Sequence, residues 1–234
     1  MNDSGYFAVV TESDAYKNKL IVYNSSFEEI YKLNSMSRYI LSVDISEDNR
    51  HAAVSSYYIE GSSIIPQINY YSFTEEESLW NAEFEDNIAV SVICKDDSTV
   101  CALFEWGVCI LDSKGKEKCR YEFGNKFLQA YSLTRGKYNC VVLSDSHSGS
   151  SAVTVFDNAG KKISETETDV TVISADIFGD RLALLSRDKI HIYTVSGKLI
   201  SERENPNDAM YVLFSDKNSV LVVSDSGIVY NLIN

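Results

Sequence analysis

The stretch TVFDNAGKKISETE, residues 154–167, has the form of a β-hairpin: an alternating strand, a short turn ending in Gly-Lys, and a second, polar strand. Two other stretches have nearly the same form, CILDSKGKEKCRYE at 109–122 and HIYTVSGKLISERE at 191–204. The turn glycines stand at 115, 160 and 197, so their separations are 45 and 37 residues. Periods of about 20 to 50 residues are typical of repeat architectures. The hairpin therefore predicts a chain built from one repeating unit.

Each unit has two further strand-like segments before its hairpin, which gives four short strands in the order A, B, C and D. Strands A and B are nearly continuous apolar runs, strand C alternates, and strand D is polar and charged. Unbroken apolar strands are buried on both faces, and a polar strand that carries lysine protects an exposed sheet edge. This gradient is typical of a propeller blade whose A strand lines the central channel. The sequence predicts an all-β fold, a β-propeller of four-stranded antiparallel blades, in preference to a β-helix, a sandwich or an α/β fold.

The whole chain is predicted to be a single propeller domain with a partial blade at each end. The predicted blades are 1–38, 39–87, 88–126, 127–170, 171–209 and 210–234. Each partial blade has three strands, so the chain has about 5.5 to 6 blades. Termini that share one blade need only four strands between them. The six strands present favour a chain that is part of a larger propeller with about seven or eight blades; three-stranded end blades are the alternative.

The repeated turn has a structural explanation in its residue types. Asp157 can accept hydrogen bonds from the backbone that follows it, and Gly160 supplies a positive φ for the closing bulge. Asp112 repeats this arrangement, and Thr194 replaces the aspartate in the third copy. A phosphate-binding glycine loop would lead into a helix, whereas these turns lead into strands. The motif therefore predicts architecture.

Composition excludes several classes of partner. Lys and Arg number 21 against 34 Asp and Glu, which gives a net charge of −13. Such a chain is repelled by nucleic acid and by anionic lipid surfaces. We expect no nucleic-acid partner. No run of about 18 apolar residues is present, so we expect no direct membrane insertion by this segment.

The cysteines invite a zinc interpretation that their spacing does not support. Cys94, Cys101, Cys109 and Cys119 fall within 26 residues, but none forms a CxxC pair. Each is predicted to lie on a different strand of one sheet, as a small buried apolar residue. Metal binding or a disulfide is the alternative. We expect no cofactor.

No catalytic motif stands out. His51 and His191 fall in predicted strands, and His147 lies in SDSHSGSS, which has one carboxylate where a calcium loop needs several. The prediction is a protein that is not an enzyme. The alternative is an enzyme whose site lies at the channel, built from polar residues of the A strands: Ser42, Asp44, Ser91, Ser174 and Asp176.

Unequal B–C connections suggest a binding surface. Three are minimal, whereas 11–19, 55–67 and 144–151 are predicted to be long loops on one face. Additional loop length on a rigid scaffold is where binding residues concentrate. The candidate binding residues are Tyr16, Tyr57, Tyr58, Ile64, Ile65, Pro66 and His147. Packing against a neighbouring blade is the alternative role for the apolar members.

The stretch 5–46, the AAVSS that follows at 52–56, and the turn FDNAGKKI resemble an uncharacterised family of Clostridia-type Firmicutes. The resemblance implies a bacterial, propeller-like protein of unknown function, held outside the cytoplasm by an upstream membrane anchor; a cytoplasmic location is the alternative. We expect a non-enzymatic binding or scaffold module that presents a loop face to a protein or glycan. The alternatives are the channel enzyme and a sensor domain of an anchored signalling protein.

Overall fold

The computed structural model describes residues 1–13, 15–85, 87–96, 98–145, 150–205 and 208–232. Within these ranges the regular structure consists of 22 β-strands in six antiparallel sheets. Within the same ranges, no helix has the length and apolarity needed to cross a membrane. The all-β prediction, with four-stranded antiparallel sheets, is confirmed.

Residues 1–122 form one compact unit with three sheets. The first sheet contains β1 (Phe7–Ser13), β2 (Tyr16–Tyr23) and β3 (Glu29–Ser35). The second contains β4 (Arg38–Ile45), β5 (His51–Glu60), β6 (Ser63–Ser72) and β7 (Ser78–Glu83). The third contains β8 (Ala89–Cys94), β9 (Val100–Phe104), β10 (Gly107–Leu111) and β11 (Glu117–Glu122).

Residues 123–234 form a second compact unit, also with three sheets. The fourth sheet contains β12 (Phe127–Ser132), β13 (Tyr138–Ser144), β14 (Ser151–Asp157) and β15 (Lys162–Thr168). The fifth contains β16 (Val172–Phe178), β17 (Arg181–Ser186), β18 (Lys189–Thr194) and β19 (Leu199–Glu204). The sixth contains β20 (Tyr211–Asp216), β21 (Ser219–Ser224) and β22 (Gly227–Leu232).

Burial across each sheet follows the residue pattern of its strands. Every residue of β9 and β10 is buried, whereas β11 alternates between exposed and half-buried side chains. Within each unit the apolar core lies between consecutive sheets: Val22 and Val54 belong to the cluster between the first and second, and Val142 and Leu184 to the cluster between the fourth and fifth. Each sheet therefore depends on its neighbour to cover its apolar face.

The hairpin turns have the predicted geometry. The Asp112 carboxylate accepts hydrogen bonds from the amides of Lys114 and Lys116 at 2.9 and 3.0 Å. Asp157 binds the equivalent amides, and Gly115, Gly160 and Gly197 all have positive φ. Glycine adopts this left-handed conformation without steric cost. The turn prediction is confirmed.

A fourth copy of this turn was missed in the sequence. Asn24 accepts from the amides of Ser26 and Glu28 in the same pattern. Phe27 occupies the glycine position with φ 63°, and its ring lies 5.5 Å from the ring of Phe7. This turn has no glycine, and a bulky residue is uncommon in the left-handed region. The sequence pattern therefore did not reveal it.

The turn glycines also allow close packing between sheets. A Cβ placed on Gly115 would lie 2.6 Å from the Trp80 ring of the neighbouring β7. A Cβ on Gly197 would lie 2.7 Å from Thr166 Oγ1 of the neighbouring β15. At these two turns glycine is required for two reasons: φ is positive, and a side chain would collide with the preceding sheet.

Four cysteines lie as predicted, one on each strand of the third sheet, and the fifth, Cys140, lies on β13; all five are free thiols. Cys94, Cys101 and Cys109 are fully buried, whereas Cys119 is half-buried. Burial raises the pKa of Cys101 and of Cys109 to about 12. These thiols are therefore protonated packing groups at neutral pH.

Lys95, next to this sheet, is a buried cation with only 7% of its surface exposed. Burial lowers the pKa of Lys95 to about 8. Below that pH the folded protein holds a charged lysine that would be better solvated in the unfolded chain, so burial of the charge costs stability. Between about pH 8 and 10.5 the folded state binds fewer protons than the unfolded state, and this cost disappears as pH rises.

Replacing Lys95 with methionine is expected to raise the free energy of unfolding at pH 7 by about 2 to 3 kcal/mol. The gain should shrink as pH rises from 8 to 10.5, because Lys95 is then increasingly neutral in the folded state and its burial no longer desolvates a charge. Urea denaturation of both proteins at several pH values measures the difference and cancels the titration of other groups. A gain that is constant across this range would contradict the assignment.

Candidate functional site

The segment 55–67 forms paired strands, and its prediction as a long loop was wrong. Strands β5 and β6 pair continuously as far as Glu60 opposite Ser63. The cause is the run of strand-forming side chains on each arm, Tyr57, Tyr58 and Ile59 on the first and Ile64 and Ile65 on the second, which favours a sheet. Pro66 concealed it, since proline in a run usually argues against a strand. A rigid two-stranded hairpin therefore stands where a loop was expected.

The segment 11–19 differs from its prediction in the same way. Strands β1 and β2 pair from Phe7 opposite Tyr23 to Ser13 opposite Tyr16. Tyr16 is half-buried at the start of β2. The third predicted loop contains His147, which lies outside the described residues.

The predicted binding residues divide between the two faces of the β5–β6 hairpin. Directly opposed residues of an antiparallel pair share a face. Tyr57 lies opposite Pro66, whereas Tyr58 lies opposite Ile65. The candidates therefore cannot act as one surface, and each face has its own chemistry.

The first face carries an apolar tip and a stacked aromatic pair. Tyr57 stacks on Tyr39 of β4 with ring centroids 4.9 Å apart, and Lys17 Nζ of β2 lies 5.4 Å from the Tyr39 centroid. Ile59 and Ile64 oppose each other at the tip and are 56% and 48% exposed. We call Lys17, Tyr39, Tyr57, Ile59 and Ile64 the hairpin face. Pro66, in contrast, is buried.

Lys17, Tyr39 and Ile59 of the hairpin face were not among the candidates. Ile59 had a visible signal, because it follows Tyr57 by two residues and so shares its side of a strand. Lys17 and Tyr39 come from other strands, and sequence spacing alone gave no reason to group them with Tyr57.

The second face carries half-buried Ile65 and a set of hydrogen-bonded polar side chains. Glu83 Oε1 accepts a hydrogen bond from Gln67 Nε2 at 2.7 Å and lies 3.5 Å from the Tyr58 hydroxyl. Partial desolvation, followed by the charge of Glu83, raises the pKa of Tyr58. Tyr58 is therefore a neutral hydrogen-bonding group at physiological pH.

The polar residues proposed for a channel enzyme mostly bind the backbone of the next sheet. Ser42 Oγ accepts from the Val92 amide at 3.1 Å, and Asp44 Oδ2 accepts from the Cys94 amide at 2.8 Å. Ser91 lies on β8, opposite Leu103. Edge strands present unpaired amides. The serine and aspartate of β4 satisfy two of them on β8.

The same arrangement recurs in the second unit. Ser174 Oγ accepts from the Val212 amide at 3.2 Å, and Asp176 Oδ2 accepts from the Phe214 amide at 2.7 Å. Asp176 Oδ1 also accepts from the Ser132 hydroxyl at 2.9 Å. Burial raises the pKa of Asp176, and its hydrogen bonds oppose that shift. Ser-x-Asp on a first strand is thus a structural link between sheets.

The two described histidines, His51 and His191, lie on strands and contact neighbouring side chains. His51 Nδ1 lies 2.8 Å from Asp48 Oδ2, and the ring stacks on Tyr70 at 5.4 Å. His191 Nδ1 lies 3.4 Å from Glu202, and burial lowers the pKa of His191. Across the described ranges, no three His, Cys, Asp or Glu side chains lie close enough together to hold a metal ion.

Comparison with solved structures shows the fold. The chain is similar to the WD40 domain of Neurospora crassa Pan2, with a TM-score of 0.65 and 10% identity, over 95% of this chain and 73% of that one. It is also similar to the C-terminal WD40 domain of Sif2, with a TM-score of 0.58 and 13% identity, over 97% of this chain and 81% of that one. The predicted propeller is confirmed as WD40-like, with about 5.5 blades.

No curated protein matches the chain. A family model does match it, over residues 1–230, which is nearly the whole sequence. The chain therefore belongs to the family of unknown function DUF5711.

Proposed function

We propose that this protein is a non-enzymatic binding module that docks a protein partner on the hairpin face. The supporting observation is the exposure of Ile59 and Ile64 at the tip of a fully paired hairpin. Isoleucines on a rigid element lose little conformational entropy on binding, and their contact with a partner removes apolar surface from water.

The rest of the hairpin face suits a protein partner. Tyrosine is enriched in interfaces because its ring gives contact area while its hydroxyl forms hydrogen bonds. The Tyr39–Tyr57 stack holds both rings in place, and Lys17 places a cation next to the Tyr39 ring. A glycan would use the stacked rings without needing the two isoleucines, so the apolar tip favours protein.

The polar residues on the first strands of the complete sheets favour a scaffold over a channel enzyme. The carboxylates of Asp44 and Asp176 each accept a hydrogen bond from a backbone amide of the following sheet. In this role they stabilise the fold by linking neighbouring sheets. The net charge of −13 also favours a partner other than nucleic acid.

Ile64→Glu, which places a charge at the centre of the apolar tip, is expected to weaken partner binding by at least tenfold. Leu79→Glu on β7 is the matched control, since Leu79 is comparably exposed at 46% and lies outside the hairpin face. Quantitative affinity purification from the native cells, followed by titration with each purified partner, measures the effect. Binding that is unchanged by Ile64→Glu, or lost equally with Leu79→Glu, would refute this surface.

We also propose an extracytoplasmic location, which the resemblance to anchored Clostridia-type proteins supports. Treatment of intact cells with a protease that cannot enter them is expected to digest this protein while sparing a cytoplasmic marker. Protection in intact cells combined with digestion after lysis would contradict the proposal.

A further inference from the structure

A cleft lies between strand β3 of the first sheet and strands β6 and β7 of the second. It consists of three adjoining recesses of about 540, 540 and 90 Å³, and Leu33 of β3 borders all of them. Glu76 borders both large recesses, whereas Arg38 borders one large recess and the small one. The cleft therefore runs from a carboxylate to a guanidinium, and its volume lies in the range of small-molecule sites.

The cleft lies next to a turn that differs from the repeated hairpin turn. At the following junction, the Gly115 turn packs directly on Trp80 of the preceding sheet. The turn at 73–77 has the sequence FTEEE, without glycine, and its Phe73 ring contacts the ring of Tyr31 on β3 at 5.2 Å. The acidic side chains that follow Phe73 are exposed and border the cleft. The first two sheets therefore meet here through an aromatic contact instead of a closely packed glycine turn.

A buried hydroxyl at this cleft lacks a hydrogen-bond partner. Tyr31 borders the same recess as Glu76 and is 8% exposed, and its hydroxyl has no partner among the described residues. Burial, followed by the electrostatic effects of Tyr71 and Glu76, raises the pKa of Tyr31 to about 12, so the hydroxyl is a neutral donor at physiological pH. Buried polar groups are normally hydrogen-bonded. A ligand oxygen that enters the cleft would supply the missing acceptor.

The two charged groups of the cleft have no ionic partner within the described ranges. None of the ion pairs found there involves Arg38 or Glu76. Arg38 hydrogen-bonds the hydroxyl of Tyr71, which also borders the small recess. A guanidinium has five donors and binds a carboxylate through two parallel hydrogen bonds. Arg38 therefore retains donors for a ligand carboxylate, and Glu76 can accept from a ligand ammonium group.

We propose that this cleft binds a small zwitterion, a free amino acid or a dipeptide, with the ligand carboxylate on Arg38 and the ligand ammonium on Glu76. This site is separate from the hairpin face and goes beyond the docking of a protein there. Unpaired charges of opposite sign at one cleft match a zwitterion, whereas a dianion such as a phosphate ester would be repelled by the acidic turn at 75–77. A neutral sugar would leave both charges without a counter-charge. Leu33, which borders every recess, favours a ligand with an apolar side chain.

The common L-amino acids and a set of alanyl dipeptides are the probes that test this site. A thermal-shift screen followed by calorimetric titration is expected to find ligands in one of the two sets, and this result also decides between an amino acid and a dipeptide. The methyl ester and the N-acetyl derivative of the tightest ligand each lack one charge, so each should bind at least tenfold more weakly. Absence of binding in both sets, or full retention of binding by either derivative, would overturn the proposal.

Arg38→Gln and Glu76→Gln should each weaken binding of this ligand at least tenfold. Arg50→Gln and Glu47→Gln are the matched controls, since both residues are exposed and border none of the three recesses, and they should leave the affinity unchanged. Glu76→Gln should also remove the preference for the ligand over its N-acetyl derivative, which a purely structural role of Glu76 would not do. Equal losses in the controls, or a preserved preference in Glu76→Gln, would overturn the proposal.

Circular dichroism and thermal melts establish whether the variants fold. Arg38→Lys replaces Arg38→Gln if the latter unfolds, and it should still weaken binding because lysine cannot form the bidentate pair with a carboxylate. Unchanged affinity in a folded Arg38 variant would contradict the assignment of the ligand carboxylate. Ile64→Glu should leave ligand binding unchanged, and Glu76→Gln should leave protein binding at the hairpin face unchanged. Failure of this site and failure of the hairpin face are therefore distinguishable.

Discussion

Gly115→Ala is expected to lower the free energy of unfolding by about 2 to 4 kcal/mol. Part of the loss arises because alanine is strained at φ 74°. The larger part arises because the new Cβ would lie 2.6 Å from the Trp80 ring. Trp80 cannot move away freely, since its ring stacks on Tyr70 at 5.4 Å. Urea denaturation at neutral pH measures the change.

Gly179→Ala provides the matched control for backbone strain. Gly179 has φ 59°, and a Cβ there would meet nothing within 4 Å. We expect this substitution to cost only about 1 kcal/mol, the strain without the collision. If Gly115→Ala costs no more than Gly179→Ala, the proposed contact between the turn and Trp80 is without energetic consequence.

Asp176→Ala is expected to lower the free energy of unfolding by about 2 to 4 kcal/mol, because the Phe214 amide and the Ser132 hydroxyl lose their acceptor. Both donors belong to sheets that flank β16, so the substitution weakens two junctions at once. Asp180→Ala removes an exposed carboxylate near the end of the same sheet and should have almost no effect. A loss below about 1 kcal/mol for Asp176→Ala would show that other groups hold these sheets together.

Asp176→Asn separates the hydrogen bonds from the charge. The amide oxygen can still accept from Phe214, and the amide nitrogen can donate to the Ser132 oxygen, so we expect a loss below about 1 kcal/mol at neutral pH. Burial raises the pKa of Asp176 in the folded state, so the folded state holds this proton more tightly, and the contribution of Asp176 is lost as pH rises through that pKa. The stability of Asp176→Asn relative to the native protein should therefore increase from pH 3 to pH 7. A decrease would contradict the burial of this carboxylate.

Much of the fold was predictable because its causes are local. Asp112 and Gly115 specify a turn through their own backbone preferences, and the apolar runs specify which strands are buried on both faces. Trp80 and Ala82 alternate, which distinguished β7 from a helix. The Phe27 turn escaped because its left-handed residue has no local preference for that conformation.

The candidate site was less predictable because its contacts join residues that are distant in the sequence. The segment 55–67 was predicted to be a loop, yet pairing between its two arms extends β5 and β6 to the tip. The stack of Tyr39 on Tyr57 depends on the register of β4 against β5, which no local pattern of either residue specifies.

The sequence by itself determined the repeat, the strand order within each sheet and the turn chemistry, because each depends on residues a few positions apart. Only the tertiary structure decided what the polar and the exposed apolar side chains contact. Asp44 and Asp176 bind the next sheet across separations of 50 and 38 residues. Ile59 and Ile64 become one apolar tip through pairing. Such roles depend on which backbone lies beside a side chain, and packing between strands and sheets is what brings that backbone there.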